Sequence, residues 1–235
     1  MPDHHTIYQQ EAERYDHLAM REDKDGNLLP AIQSIVSLTL IDAVELGAGT
    51  GRLSNLLAPL VRSLHAFDAS AAMLAVAESK LRALGLSNWH TQIADHRQIP
   101  LPDHCADLVI SGWSICYLND KERSDWHTPF AEALVEMKRL LRPAGTILII
   151  ETEGTGVSAP QPPDSMLRYL GWLREQGFAF DWVRTDYKFV SWEEARALVA
   201  FFFGDAMLSA CYEEDGSVIL PECTGLWWWR TKMLE

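Results

Sequence analysis

The stretch Val44-Glu45-Leu46-Gly47-Ala48-Gly49-Thr50-Gly51-Arg52 decides the fold. An apolar run from Leu40 to Leu46 leads into it and closes on an acid. A glycine then follows at every second position, and an amphipathic stretch comes next. That order predicts a strand, a tight turn and the start of a helix. Side chains at the glycine positions would hold a ligand away from the backbone. The turn is therefore expected to carry a ligand.

Two ligands suit such a turn, a dinucleotide and S-adenosyl-L-methionine. A dinucleotide needs G-x-G-x-x-G, with its pyrophosphate on the helix N-terminus. Counted from Gly47, the third glycine falls on Arg52 instead. The pattern present is E-x-G-x-G-x-G. Glu45 has the wrong sign for a pyrophosphate and the right sign for an ammonium and a sulfonium.

Composition narrows the class. A chain of 235 residues that is 48% hydrophobic can form one α/β domain with additions. No apolar run is long enough to span a membrane, and Met1-Pro2-Asp3-His4-His5 is no signal peptide. The net charge of −13 disfavours nucleic acid, whose phosphates call for clustered Lys and Arg. Cys105, Cys116, Cys211 and Cys223 lack metal-ligand or redox spacing, as expected of reduced thiols in a cytoplasmic protein without a metal.

Strand-like and helix-like segments alternate beyond the turn. Residues 52 to 58 read as a helix and Leu64 to Phe67 as a strand closing on Asp68. Met73, Leu74, Ala77, Leu81 and Leu84 recur at helical spacing before Gly85. Trp89 to Ala94 and Ala106 to Ile110 read as strands, Phe130 to Leu141 as a helix, and Thr146 to Ile150 as a strand. The alternation predicts βαβ units and a parallel sheet. Past Thr152 it changes to a loop from Gly154 to Asp164, a helix from Leu167 to Gln176 and strand-like residues from Phe178 to Val190. Ser191-Trp192-Glu193-Glu194 is a capping box opening another helix, and Ser217 to Arg230 is the last strand region. In Trp227-Trp228-Trp229, alternation puts the first and third rings on one face.

Ligands of such sheets bind outside the carboxyl ends of the strands. Four predicted ends carry suitable groups: Glu45 with its glycines, Asp68 placed 23 residues on, Asp95-His96, and Ser111-Gly112-Trp113. With these residues the chain resembles the class I S-adenosyl-L-methionine-dependent methyltransferases, especially the small-molecule branch of ubiquinone and menaquinone biosynthesis. VELGAGTGR, HAFDASAAML, IADHRQIPLPD, CADLVISGWSICYL and EMKRLLRPAGTILIIETE match that family's segments in order over residues 41 to 153. The resemblance implies a Rossmann-like α/β fold. Its seven-stranded, mostly parallel sheet has the last strand antiparallel, near 221 to 230, and helices on both faces. It implies that Glu45, Gly47, Ala48, Gly49 and Gly51 hold the methionine part of the cofactor. Asp68 holds the ribose, with Ala69 and Met73 near the adenosine, and Asp95 and His96 flank the adenine. Ser111 and Trp113 line the site beside the methyl group. Gln161-Pro162-Pro163-Asp164 is similar to a motif of amino-directed methyltransferases, but that motif belongs after the fourth strand, so it reads as a loop.

The whole chain is expected to be one domain: a helical lid over 1–40, a cofactor core over 41–153, a substrate-side insert over 154–190, and a C-terminal helix with strands over 191–235. Tyr8, Ala12, Tyr15 and Ala19 share one helix face, and Tyr15 is the candidate for the cofactor's carboxylate end. His96, His17 and Tyr15 are the candidate bases. The acceptor is expected to be a small molecule between the lid, Trp113 to Tyr117, and an insert whose aromatics are Tyr169, Trp172, Phe178, Phe180, Trp182 and Tyr187. The product would be S-adenosyl-L-homocysteine. The sequence is silent on oligomeric state. A non-catalytic S-adenosyl-L-methionine sensor and, further off, a nicotinamide-dependent oxidoreductase are the alternatives.

Overall fold

The computed structural model describes residues 4–118 and 125–231. Three short helices come first: α1 (His4–Gln10), α2 (Ala12–Ala19) and α3 (Leu28–Ile35). The glycine turn joins β1 (Asp42–Leu46) to α4 (Arg52–Leu57). Then follow β2 (Ser63–Asp68), α5 (Ala71–Ala83), β3 (Trp89–Ile93) and β4 (Ala106–Gly112). After a 3-10 turn at Ile115–Leu118 come α6 (Thr128–Leu140), β5 (Leu141–Thr155), α7 (Asp164–Glu175) and β6 (Ala179–Arg184). The chain closes with β7 (Tyr187–Phe189), α8 (Trp192–Phe203), β8 (Tyr212–Glu214), β9 (Ser217–Leu220) and β10 (Glu222–Arg230).

Seven strands form the main sheet in the order β3-β2-β1-β4-β5-β10-β6. β10 runs antiparallel to both its neighbours, and the pairs among β1 to β5 are parallel. The sheet is thus mostly parallel with its last strand reversed, as expected. Chain order reverses between β1 and β4, so a crevice opens where the loops after these strands part. Alternation along β1 sends Val44 and Leu46 into one core, with α6 and α7 residues such as Phe130, Met137 and Leu173. Ala43 faces the other core, with Leu28, Ile32, Leu53 and Leu57. Glu45 shares the Ala43 face and meets Ser54 of α4 there.

Some segments differ from the sequence reading. The Tyr8-Ala12-Tyr15-Ala19 stripe is broken at Glu11, although Tyr8 and Tyr15 still meet edge to face at 5.2 Å. Leu141, expected on the helix, opens β5 and pairs with Ala106. Residues 154–190 are split rather than inserted as a unit. β6 completes the main sheet, while β7 joins β9 and β8 in a separate three-stranded sheet. The tryptophans alternate as predicted: Trp227 and Trp229 pack on one core and Trp228 on the other.

Candidate active site

The glycine turn sets the first layer. Gly47, Gly49 and Gly51 all have positive φ, at 72°, 55° and 81°. Their reasons differ. A methyl group at Gly47 would overlap the Ser114 side chain and crowd the His96 ring. A methyl at Gly51 would stand 2.9 Å from the Ala77 Cβ of α5. Gly51 therefore serves the approach of α4 to α5, and unlike Gly47, Ala48 and Gly49 it does not line the cavity above the turn. That cavity, of about 360 Å³, is also lined by Glu45, Asp68, Ala69, Met73, Asp95 and His96.

Asp68 closes β2, and its two oxygens accept from Gly49 N and Ser70 N, each at 2.8 Å. It therefore holds the glycine turn against the end of β2. The N-cap of α5 is Ser70, which accepts from Met73 N, so Asp68 is not the cap. Glu45 is 1% exposed and accepts from Ser54 Oγ at 2.5 Å. Burial pushes its carboxyl up to about 8, the Asp68 charge adds to the rise and the Ser54 hydroxyl opposes it. Asp95 is bound by Arg97 at 2.7 Å, which lowers its carboxyl to about 2. His96 Nε2 lies 2.8 Å from Ser114 Oγ, and burial holds its pKa below the ordinary value.

Arg52, at the first turn of α4, is a site residue that the sequence pattern did not single out. It pairs with Glu22, lies over the Trp113 ring at 3.7 Å, and walls both this cavity and the next. Its Nη2 is buried without a partner, as is the Thr50 hydroxyl on the same cavity. Buried donors are rarely left unpaired. An unpaired guanidinium nitrogen and a buried acid above a glycine turn fit the carboxylate and ammonium of an amino-acid tail.

A second cavity, of about 750 Å³, lies beyond Trp113 and shares Tyr8, Tyr15, Arg52, Trp113 and Tyr117 with the first. Tyr8 OH donates to Tyr117 OH at 2.8 Å, and His4 stacks on Phe202 at 4.3 Å. Ser70 Oγ donates to Tyr8 O, tying α1 to the loop after β2. Asp16 pairs with Lys80 of α5 and Arg21 with Glu194 of α8, so the N-terminal segment is tied on both sides.

Three glutamates, together with the exposed Asp164, wall this second cavity. Glu151 accepts from Cys116 N and from Tyr169 OH, both on Oε1, and Glu222 accepts from Thr152 Oγ1 at 2.6 Å. Glu22 takes Arg52 and the Thr185 hydroxyl. Burial pushes Glu151 up to about 7 and Glu222 up to about 8. Glu151 Oε2 and Glu222 Oε2 have no hydrogen-bond partner although both residues are buried. Each such orphan costs about 1–3 kcal/mol, more when charged.

Several sequence expectations need correction. His17 is exposed on the outer side of α2 and lines neither cavity, because the inward side of that helix is taken by Tyr15, Leu18 and Ala19. Ser111 is buried on the face of β4 that it shares with Val109, away from both cavities, and Ser114 lines the first instead. Tyr15 borders both cavities, but burial pushes its phenol up to about 12, which makes it a donor at neutral pH. His96 lines only the first cavity. Of the 154–190 aromatics, only Tyr187 reaches the second cavity; Tyr169, Trp172 and Phe178 are core. The aromatic wall comes instead from Tyr8, Tyr15, Trp113, Tyr117, Phe202 and Phe203. Gln161 to Asp164 do border that cavity, far in sequence from the end of β4.

Comparison with known proteins agrees with this geometry. Residues 44–149 match the family described as "Methyltransferase domain". The chain is 30% identical over 112 residues to a ubiquinone/menaquinone biosynthesis C-methyltransferase of Psychromonas ingrahamii, covering 46% of this chain and 41% of that protein. It is 28% identical over 150 residues to a demethylmenaquinone methyltransferase of Bacillus cytotoxicus, covering 63% and 56%. The matched stretches thus span about half the length of these curated relatives. In fold it is similar to a SAM-dependent methyltransferase from Aquifex aeolicus, with a TM-score of 0.56 at 16% identity, over 92% of this chain and 96% of that one. Residues 44–149 are thus similar in sequence to methyltransferase domains, those of the ubiquinone/menaquinone C-methyltransferases among them.

Proposed function

We propose that the protein transfers a methyl group from S-adenosyl-L-methionine to a small molecule held in the second cavity. The carrying observation is the pair of cavities that share a wall at Tyr15, Arg52 and Trp113, the first over the glycine turn and the second beyond it. Arg52 Nη2 and the Tyr15 phenol would hold the cofactor's carboxylate, and Glu45 its ammonium. Asp68 would accept from the ribose hydroxyls, with Met73 and Ala69 against the adenosine and Asp95 and His96 beside the adenine. When bound, the cofactor supplies an electrophilic methyl carbon on a sulfonium.

The protein's own contribution is positional. In-line methyl transfer needs the acceptor atom held close behind the methyl carbon, and such orientation contributes roughly 7–11 kcal/mol. Trp113, with φ 49° and its backbone N–H donated to Ile150 O at 2.7 Å, is fixed in the shared wall. The aromatic side chains from α1, α2 and α8 limit water around the acceptor. A 154–190 segment feeding two sheets, with Gln161 to Asp164, Ser165 and Met166 of α7, and Tyr187 at the cavity, supports a substrate-side role for those parts of it.

Calorimetric titration with S-adenosyl-L-methionine, S-adenosyl-L-homocysteine and NADH tests this. Micromolar binding of the first two, lost in Asp68→Ala, is expected. Binding of NADH alone would overturn it.

A further inference from the structure

The second cavity has a chemical bias that the fold does not require. Among the described residues that line it, Arg52 is the one guanidinium or ammonium group. It is already paired with Glu22 and stacked on Trp113. Against it stand Glu22, Glu151 and Glu222, and Asp164 at the rim. Glu151 is 0% and Glu222 2% exposed, both residues wall the cavity, and each has a buried Oε2 without a hydrogen-bond partner. An anionic acceptor would face four acidic residues and oppose their ionisation, with the one guanidinium already paired. A purely apolar one would leave both oxygens unpaired. A protonated nitrogen satisfies them, and the surrounding Tyr and Trp faces favour a cation further.

Resting on the methyltransferase reading, we propose that the acceptor is an amine, whose protonated nitrogen seats against Glu151 Oε2 while a further N–H or O–H donor reaches Glu222 Oε2. Glu151 is placed for the chemistry. Its carboxyl is fixed by Cys116 N at 3.2 Å, within the 113–117 segment whose Trp113 and Tyr117 wall both cavities. Glu222 lies on the other side of β5, hydrogen-bonded to Thr152. Proton transfer comes first: the ammonium gives one proton to the Glu151 carboxylate and becomes a neutral amine. The nitrogen lone pair then forms the N–CH3 bond as the C–S bond breaks, and that bond's electron pair stays on sulfur. The sulfonium becomes a neutral thioether, the nitrogen carries the positive charge, and Glu151 releases its proton to solvent. A carboxyl raised by burial to about 7 is well matched to that exchange near neutral pH.

The test uses the full chain saturated with S-adenosyl-L-homocysteine. Calorimetry then compares matched sets, in which an amine, an alcohol and a carboxylate are built on the same alkyl or arylalkyl skeleton. Amines are expected to bind at least tenfold tighter than their alcohols, and carboxylates not at all. Amines that bind should also accept labelled methyl from S-adenosyl-L-methionine. Glu222→Gln should raise KM about tenfold with kcat nearly kept. Glu151→Gln should lower kcat at least a hundredfold and move the rising limb of its pH profile toward alkaline pH. Glu151→Asp should recover part of kcat, which a merely structural role would not produce. S-adenosyl-L-homocysteine affinity serves as the folding control for each variant. Alcohols or acids equal to the amines, or no amine bound while S-adenosyl-L-homocysteine binds, would overturn the proposal. Failure to bind S-adenosyl-L-homocysteine would instead overturn the methyltransferase reading beneath it.

Discussion

Replacing Glu45 by Gln probes the cofactor site through its protons. In the free protein burial holds the Glu45 carboxyl at about 8, so at pH 6.5 it carries about one proton. If it meets the cofactor's ammonium, the complex favours the ionised form and its pKa falls toward the ordinary carboxylate range, about 4.3. Binding must then release about one proton at pH 6.5 and about a tenth of one at pH 9. The same linkage makes affinity rise roughly tenfold per pH unit below pH 8. Glu45→Gln keeps the shape, loses the titration, and gives up a charged hydrogen bond of about 1.5–3 kcal/mol, or roughly 10- to 150-fold in Kd at high pH. The assay is titration with S-adenosyl-L-homocysteine, which retains the ammonium. It is run at both pH values in phosphate and in Tris, whose ionisation enthalpies differ enough to count protons. Subtracting the variant removes the contributions of every other group. Equal proton counts in wild type and variant at pH 6.5 would refute the assignment of Glu45 to the ammonium.

Other expectations follow from the same geometry. Arg52→Met should weaken S-adenosyl-L-homocysteine binding by roughly 30-fold or more and destabilise the fold by about 3–5 kcal/mol, because it strands the buried Glu22 carboxylate. Adding Glu22→Gln should recover most of the stability in denaturant titration and none of the affinity. Gly51→Ala should lower stability through the Ala77 contact while the remaining folded protein binds cofactor normally, whereas Gly47→Ala should lose binding. The unliganded protein should lose stability as pH rises. Glu45, Glu151 and Glu222 have folded-state pKa values of about 8, 7 and 8, so below about pH 4.3 they carry no penalty. The loss grows as pH rises through 7 to 8, at up to about 1.4 kcal/mol per unit for each group. Scanning calorimetry from pH 5.5 to 8.5 checks this, and Glu151→Gln should flatten part of the slope. His17→Ala, on the exposed side of α2, should leave methyl transfer unchanged in a labelled-methyl assay.

The glycine turn, Asp68 and the alternation of strands and helices were legible because local spacing expresses them directly. What was missed lies in contacts between distant segments. Arg52 served in the sequence only to exclude a dinucleotide, yet its unpaired Nη2 makes it a binding group; Glu22, 30 residues earlier, holds it there. Ser111 and Ser114 look alike in sequence, and only the pleat of β4 and the turn after it send one into the core and the other over Gly47. The aromatics of α7 have the composition of a pocket, but their spacing was that of a buried helix face, which is where Tyr169, Trp172 and Leu173 pack. Nothing in the local spacing around Glu151 and Glu222 marks either as a cavity residue. Their pairing across one cavity depends on the reversed β10, whose register with β5 puts Glu222 opposite Thr155.

The ties on the N-terminal segment bear on the order of events in a catalytic cycle. Tyr8 and Tyr15 wall both cavities, so a shift of α1 and α2 would widen the way out for a spent cofactor. What resists that shift includes the Tyr8–Tyr117 and Ser70–Tyr8 hydrogen bonds, the His4–Phe202 stack, buried Ile7 and Leu18, and two part-exposed ion pairs, Asp16–Lys80 and Arg21–Glu194. Pairs of this kind are worth about 0–1 kcal/mol each and weaken with salt. Cofactor exchange would then be the slow, salt-accelerated part of turnover, and the acceptor would arrive second, onto a surface that the first arrival has already closed.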